Sequence, residues 1–185
     1  MAAPQRRLQK SAIFVCDLHL LTSQKVLKAA KILQLPVFVT TQNGAKLGGT
    51  VPEIEALIND AVVNVDKTLF SMATPEVVAK LPEKGEVVIV GIESHICVTQ
   101  TTLDLLSRGY KVYVLADGVS SCNEQEVPIA LARLRSEGAV VTTSESWLYE
   151  CMGDAGIPEF RDIAKLVRET SADTKTALAG LLSKI

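Results

Sequence analysis

A chain of 185 residues, 48% hydrophobic and 22% charged, is long enough to fold as one domain around a substantial core. Nineteen basic residues against twenty-one acidic ones give a net charge of −2, which leaves no electrostatic footprint for nucleic acid or anionic lipid and points to a small-molecule partner. No apolar run approaches the length of a membrane span.

Residues 1–11 open with Arg6, Arg7 and Lys10 and hold no acid before Asp17. A flexible basic tail is expected there, with an organellar presequence as the alternative. No secretory apolar core follows, and Cys16, Cys97, Cys122 and Cys151 show no paired spacing. Reduced thiols and a cytoplasmic location are therefore expected, with the mitochondrion second. His19 and His95 stand far from any zinc-like cluster, so no metal is expected.

Ala12 to Cys16 is a continuous apolar run rich in β-branched residues, ending at Asp17. Such runs suit strands buried on both faces of a parallel sheet. Ser23 to Leu33 has apolar residues at helical spacing, and Pro36 ends that pattern before a second strand, Val37 to Thr40. The segment from Gln42 to Thr50 is a polar, glycine-rich loop of the kind that lines sites. Ala61 to Val65 predicts a third strand closed by Asp66 and Lys67, and Pro75 to Leu81 a short helix. Glu86 to Gly91 predicts a buried strand followed by a helix from Ile96 to Ser107, which Gly109 stops. Lys111 to Leu115 and Ala139 to Thr142 predict two more strands around a helix from Pro128 to Gly138. Ser144 is placed to cap a helix running to about Cys151, and Pro158 to Glu169 predicts another. The Ala-, Ser-, Thr- and Lys-rich residues 171–185 suggest a loosely held end, leaving 12–170 as the domain.

Alternating strands and helices predict an α/β fold: a three-layer sandwich whose central, mostly parallel, six-stranded sheet carries helices on both faces. Ligands of such sheets bind at the carboxyl ends of the strands. That rule selects Asp17, Lys67 and the turn from Glu93 to Cys97, three reactive groups distant in sequence on one rim.

Cys97 in the first turn of a helix meets exposed backbone amides and the positive end of the helix dipole, which favour a thiolate. It is either such a nucleophile or an inert buried thiol. Asp17 is either a strand-end cap or a carboxylate able to exchange a proton with a nearby thiol. Lys67 alone is an ordinary surface lysine; beside the other two it would hold the aspartate ionised and stabilise developing negative charge. His95, two residues from Cys97 and so on another helical face, is poorly placed as its base. Cys16, Cys122 and Cys151 are expected to be structural.

The segment Val90-Gly-Ile-Glu-Ser-His-Ile-Cys-Val98 resembles the nucleophile motif of the isochorismatase-like cysteine hydrolases. The resemblance continues through Thr101-Thr-Leu-Asp-Leu-Leu-Ser-Arg-Gly109 and Val114-Leu-Ala-Asp-Gly-Val-Ser-Ser121, and earlier through Phe14-Val-Cys-Asp17 and Lys67-Thr-Leu-Phe-Ser-Met72. It runs from about Ala12 to Lys165 and is nearest to the isochorismatase domain-containing proteins of eukaryotes, which share the Thr50-Val-Pro-Glu53 stretch. It implies a catalytic set of Asp17, Lys67 and Cys97, a cis peptide at Ile92–Glu93, and oxyanion donors from the amides of Glu93 and Cys97. It also implies hydrolysis of a small amide or related acyl compound without a cofactor, and assembly as a homodimer or homotetramer.

Two features depart from the family pattern. His19 stands where the family commonly has Gln, followed by a loop that is short here; a deletion and an omitted stretch both fit. The metal-binding Asp-x-His-x-His pattern of nicotinamidases has no counterpart. A vinyl ether hydrolase of the isochorismatase type and a non-catalytic scaffold are the competing readings.

Overall fold

The computed structural model describes residues 5–16 and 20–182, the side chains of Leu20 and Leu182 excepted. In chain order the elements are β1 (Ser11–Cys16), α1 (Leu20–Leu33), β2 (Val37–Gln42), α2 (Gly44–Leu47), α3 (Pro52–Glu55), β3 (Val63–Lys67) and α4 (Pro75–Val78). There follow β4 (Glu86–Gly91), a π turn (Ser94–Val98), α5 (Thr99–Ser107), β5 (Lys111–Val119), α6 (Glu126–Ser136), β6 (Val140–Thr142), α7 (Ser144–Met152), α8 (Phe160–Glu169) and α9 (Ser171–Leu182).

The strands form one six-stranded sheet in the order β3-β2-β1-β4-β5-β6, and every pairing is parallel. Strand alternation sorts the core onto two faces. Ile13, Val15, Val88, Val90, Tyr113 and Leu115 face one cluster, shared with Val26 and Leu33 of α1, Trp147 of α7 and Ile163 of α8. Phe14, Phe38, Val87, Ile89, Val112 and Val114 face the other, with Leu105 of α5 and Leu131 and Leu134 of α6. This is the three-layer α/β sandwich the apolar runs predict.

The strand order reverses between β1 and β4, and such a switch point opens a crevice at the carboxyl ends of the two strands. Register is regular until Ile89, where β5 bulges, so that Gly91 faces Val119 rather than a residue two past Val114. The bulge lets β5 run on through Asp117 and Gly118, beyond the Leu115 end that its apolar run suggests. A Cβ at Gly118 would meet Val90 Cγ1 at 2.9 Å, so the close approach of backbone here requires glycine.

Two described segments, residues 5–10 and 171–182, differ from expectation. Leu8 is buried, and the amides of Arg7 and Leu8 donate to Cys151 O, so the segment before β1 packs on α7 instead of forming a free tail. Residues 171–182 form α9, in place of a loose end, because a tertiary partner rewards the order. The ammonium of Lys25, buried in α1, donates to Thr174 Oγ1 at 2.8 Å and lies 3.9 Å from Asp117 Oδ2. Burial lowers the Lys25 pKa, opposed chiefly by the charge of Asp117. Asp117 in turn accepts from the Ser144 amide at 2.7 Å and from its hydroxyl, fixing the start of α7. Thr143, rather than Ser144, caps that helix, accepting from the Ser146 amide. No helix among the described residues is long and apolar enough to cross a membrane.

Removing one member of a buried ion pair leaves the other uncompensated, whereas removing both does not. Asp117→Ala is therefore expected to lower the stability to urea unfolding by about 3–5 kcal/mol, and the Asp117→Ala/Lys25→Met double variant to recover part of that loss.

Candidate active site

β2 and β3 end side by side, with Gln42 opposite Lys67 in register. Lys67 is the last residue of β3 and only 6% exposed. Its Nζ donates to Gln42 Oε1 at 2.6 Å, Leu69 O at 2.9 Å and Phe70 O at 3.2 Å. Those three acceptors match the three donors of an ammonium. The same Gln42 Oε1 accepts from Cys97 Sγ at 4.0 Å, while Gln42 Nε2 donates to Thr68 O at 2.9 Å. One side-chain amide thus joins the amine and the sulfur, although 55 residues separate Gln42 from Cys97.

Cys97 is 5% exposed and sits in the π turn, which begins at Ser94, two residues before the start the sequence suggests. Single π turns are frequent at functional sites. The threonines that follow hold it: Thr99, Thr101 and Thr102 donate their hydroxyls to Ser94 O, Cys97 O and Val98 O. Thr101 Oγ1 also accepts from the Met72 amide at 2.9 Å, tying the segment after Lys67 to the nucleophile helix. The Ile92–Glu93 peptide is cis.

A second clamp holds the other side of this turn. The bulge in β5 places Ser120 and Ser121 beside it: Ser94 N donates to Ser120 O at 2.8 Å, and Ser94 Oγ lies 2.5 Å from Ser121 Oγ. His95 Nδ1 is 2.9 Å from Ser121 Oγ and 4.0 Å from Glu93 Oε2, and Glu93 Oε2 accepts from the Cys122 amide. A Ser–His–acid relay needs the hydroxyl and the carboxylate on opposite ring nitrogens. Here both lie near Nδ1, so His95 binds loop to turn and is no relay.

The glycine-rich loop is pinned at its start to the end of β3. Asp66 Oδ1 accepts from Gly44 N at 2.8 Å and from Thr41 Oγ1 at 2.9 Å, and the Gly44 bond above all holds this exposed carboxyl below its ordinary pKa. Asn43 N donates to Lys67 O. The loop carries α2 and brings Leu47, Gly48 and Gly49 across from Cys97. Between them opens a cavity of about 440 Å³, walled also by Val51, Phe70, Ile92 and Ile96, with Gln42, Glu93 and Cys97 as its polar groups.

Of the predicted site residues, Glu93 and Cys97 line this cavity, and Lys67 is joined to it through Gln42. Asp17 and His19 lie outside the described residues. Gln42, Asp66, Thr101 and Ser121 organise the site without having been given a role, although Gln42 opens the loop expected to line it, since their pairings depend on which distant segments meet. Cys16 and Cys151 are buried, and burial pushes the Cys151 thiol up to about 11. Cys122, expected to be structural, is exposed. Among the described residues, no group of three or more His, Cys, Asp and Glu side chains is arranged to hold a metal ion.

Comparison with known proteins gives a consistent result. The family model for the isochorismatase domain matches residues 16–146. The secreted isochorismatase effector Isc1 of Phytophthora sojae is 43% identical over 178 residues, covering 86% of this chain and 85% of its own length. Isochorismatase domain-containing protein 2 of Xenopus laevis is 40% identical over 182 residues, covering 97% and 84%. The solved structure of the MAR1 ribonuclease from Caenorhabditis elegans is 36% identical, with a TM-score of 0.80 over 90% of this chain and 92% of that one. On the family match and these identities, the chain is a member of the isochorismatase domain family.

Proposed function

We propose that the protein is a cysteine hydrolase that cleaves a small amide or related acyl compound through a thioester on Cys97. The observation that carries this reading is the shared amide: Gln42 Oε1 accepts from both Lys67 Nζ and Cys97 Sγ at the floor of a cavity open to a small ligand. The amide links the Lys67 cation to the sulfur at one remove, and a cation near a thiol at the start of a helix supports the thiolate.

In the proposed cycle Asp17 takes the Cys97 proton, and the sulfur attacks the substrate carbonyl to form a C–S bond. Backbone amides of Glu93 and Cys97 receive the developing oxyanion. Lys67 has a different part from direct donation, because Gln42, Leu69 and Phe70 already occupy its three N–H groups. It acts through its field and by fixing Gln42. Asp17 then passes its proton to the departing nitrogen as the C–N bond breaks. Water, deprotonated by the same carboxylate, cleaves the thioester and regenerates the thiol.

Three other readings have less support. A vinyl ether hydrolase needs no sulfur, yet Cys97 lines the cavity. A scaffold leaves unexplained why a buried ammonium and a thiol share one amide acceptor. The ribonuclease name of the nematode relative has no electrostatic counterpart in a chain of net charge −2. Cytoplasmic residence, where free thiols stay reduced, and assembly as a homodimer or tetramer complete the proposal.

Intact-mass spectrometry during turnover is expected to show an acyl adduct that maps to Cys97. Cys97→Ala should lose the adduct and about 10³-fold or more of activity; full turnover by that variant rules the thioester out. Gln42→Ala is expected to lower kcat by about 10²-fold with little change in KM, and Gln42→Glu, which keeps an acceptor for Lys67, to restore part of it. Brief alkylation of the folded protein at neutral pH should modify Cys97 and exposed Cys122 and spare Cys16 and Cys151.

A further inference from the structure

The walls of the cavity also bear on what kind of acyl group Cys97 would carry. Leu47, Val51, Phe70, Ile92 and Ile96 give it an apolar lining, and two of them stand well out into solvent. Leu47 is 73% exposed and Phe70 50% exposed, and both line the cavity. Large apolar side chains left in water beside a reactive group mark a surface that a ligand covers.

Charge points the same way. Among the described residues that line the cavity, Glu93 is the only charged one, and it is an acid. Its carboxylate is held in place by the Cys122 amide at 2.6 Å. Lys67, buried behind Gln42, has its three donors committed to Gln42, Leu69 and Phe70, so it offers no hydrogen bond to a ligand carboxylate. Among the described lining residues an anionic acyl group would therefore lose its hydration without gaining a cationic partner, and would meet the like charge of Glu93.

We infer that the site is specific for substrates with an uncharged, apolar acyl portion, aliphatic or aromatic, and discriminates against acyl groups bearing a second carboxylate. The apolar portion lies between Leu47 and Phe70, with Ile92 and Ile96 beneath it, and the carbonyl carbon meets Cys97 Sγ. Gly48 and Gly49 leave the loop side open, since a Cβ at either would meet nothing within 4 Å. This specificity rests on the thioester reading, and the experiment separates the two.

The test uses two activated esters of equal reactivity, p-nitrophenyl hexanoate and mono-p-nitrophenyl glutarate, with acylation of Cys97 followed by peptide mass spectrometry and nitrophenolate release. The hexanoate is expected to acylate Cys97 at least about 30-fold faster, the scale set by desolvating an unpaired carboxylate. In Leu47→Arg, a change at a largely exposed position, the ratio should shift toward the glutarate by about tenfold, as a rim charge steers an anion. Equal or faster acylation by the glutarate in the unaltered protein overturns the specificity while leaving the thioester intact. Failure of both esters to acylate Cys97 overturns the thioester reading and the specificity with it.

Discussion

The side-chain amide of Gln42 is the point on which the candidate site depends. It ends β2, accepts a hydrogen bond from Lys67 at the end of β3, and faces the sulfur of the π turn. An ammonium removed from water is costly, by several kcal/mol, unless its hydrogen bonds are replaced. The chain replaces all three, bending residues 69 and 70 back so that their carbonyls meet Nζ. That bend sets the position of Phe70 at the mouth, so satisfying a buried charge also shapes the wall of the cavity.

The sheet makes this convergence natural. Six parallel strands deliver their carboxyl ends to one edge, and the reversal of order between β1 and β4 leaves space there. The bulge in β5 then carries Ser120 and Ser121 back toward the turn after β4, where they hold Ser94 and His95. Threonines on α5 fix the turn from the other side. The nucleophile is therefore braced from two directions by hydroxyl groups, which are short, carry little rotamer entropy and bond equally well to carbonyl and amide.

The strands were legible because a sheet covered on both faces needs unbroken apolar runs, as at Ile13 to Cys16 and Val87 to Val90. The turn that carries Cys97 lies just past the second of those runs, and Lys67 closes the third predicted strand. Gln42 was not legible as a hub: its role arises from the register of β2 against β3, which no local pattern records. Asp117 within β5 was missed for a related reason, since a charged residue breaks an apolar run, yet here its carboxylate is matched by Ser144 and Lys25. The same pairing explains why the polar stretch after Thr170 is helical. Its own composition gives little drive to order, and the reward lies across the molecule on α1.

That last contact gives the final helix an office beyond covering the sheet. Lys25 Nζ hands a proton-bearing bond to Thr174, so a threonine hydroxyl near the end of the chain completes the coordination of a cation seated in the first helix. The last helix is thereby tied to the first, and α9 works as a keystone set against the arch of α1, β5 and α7 that meets at Asp117.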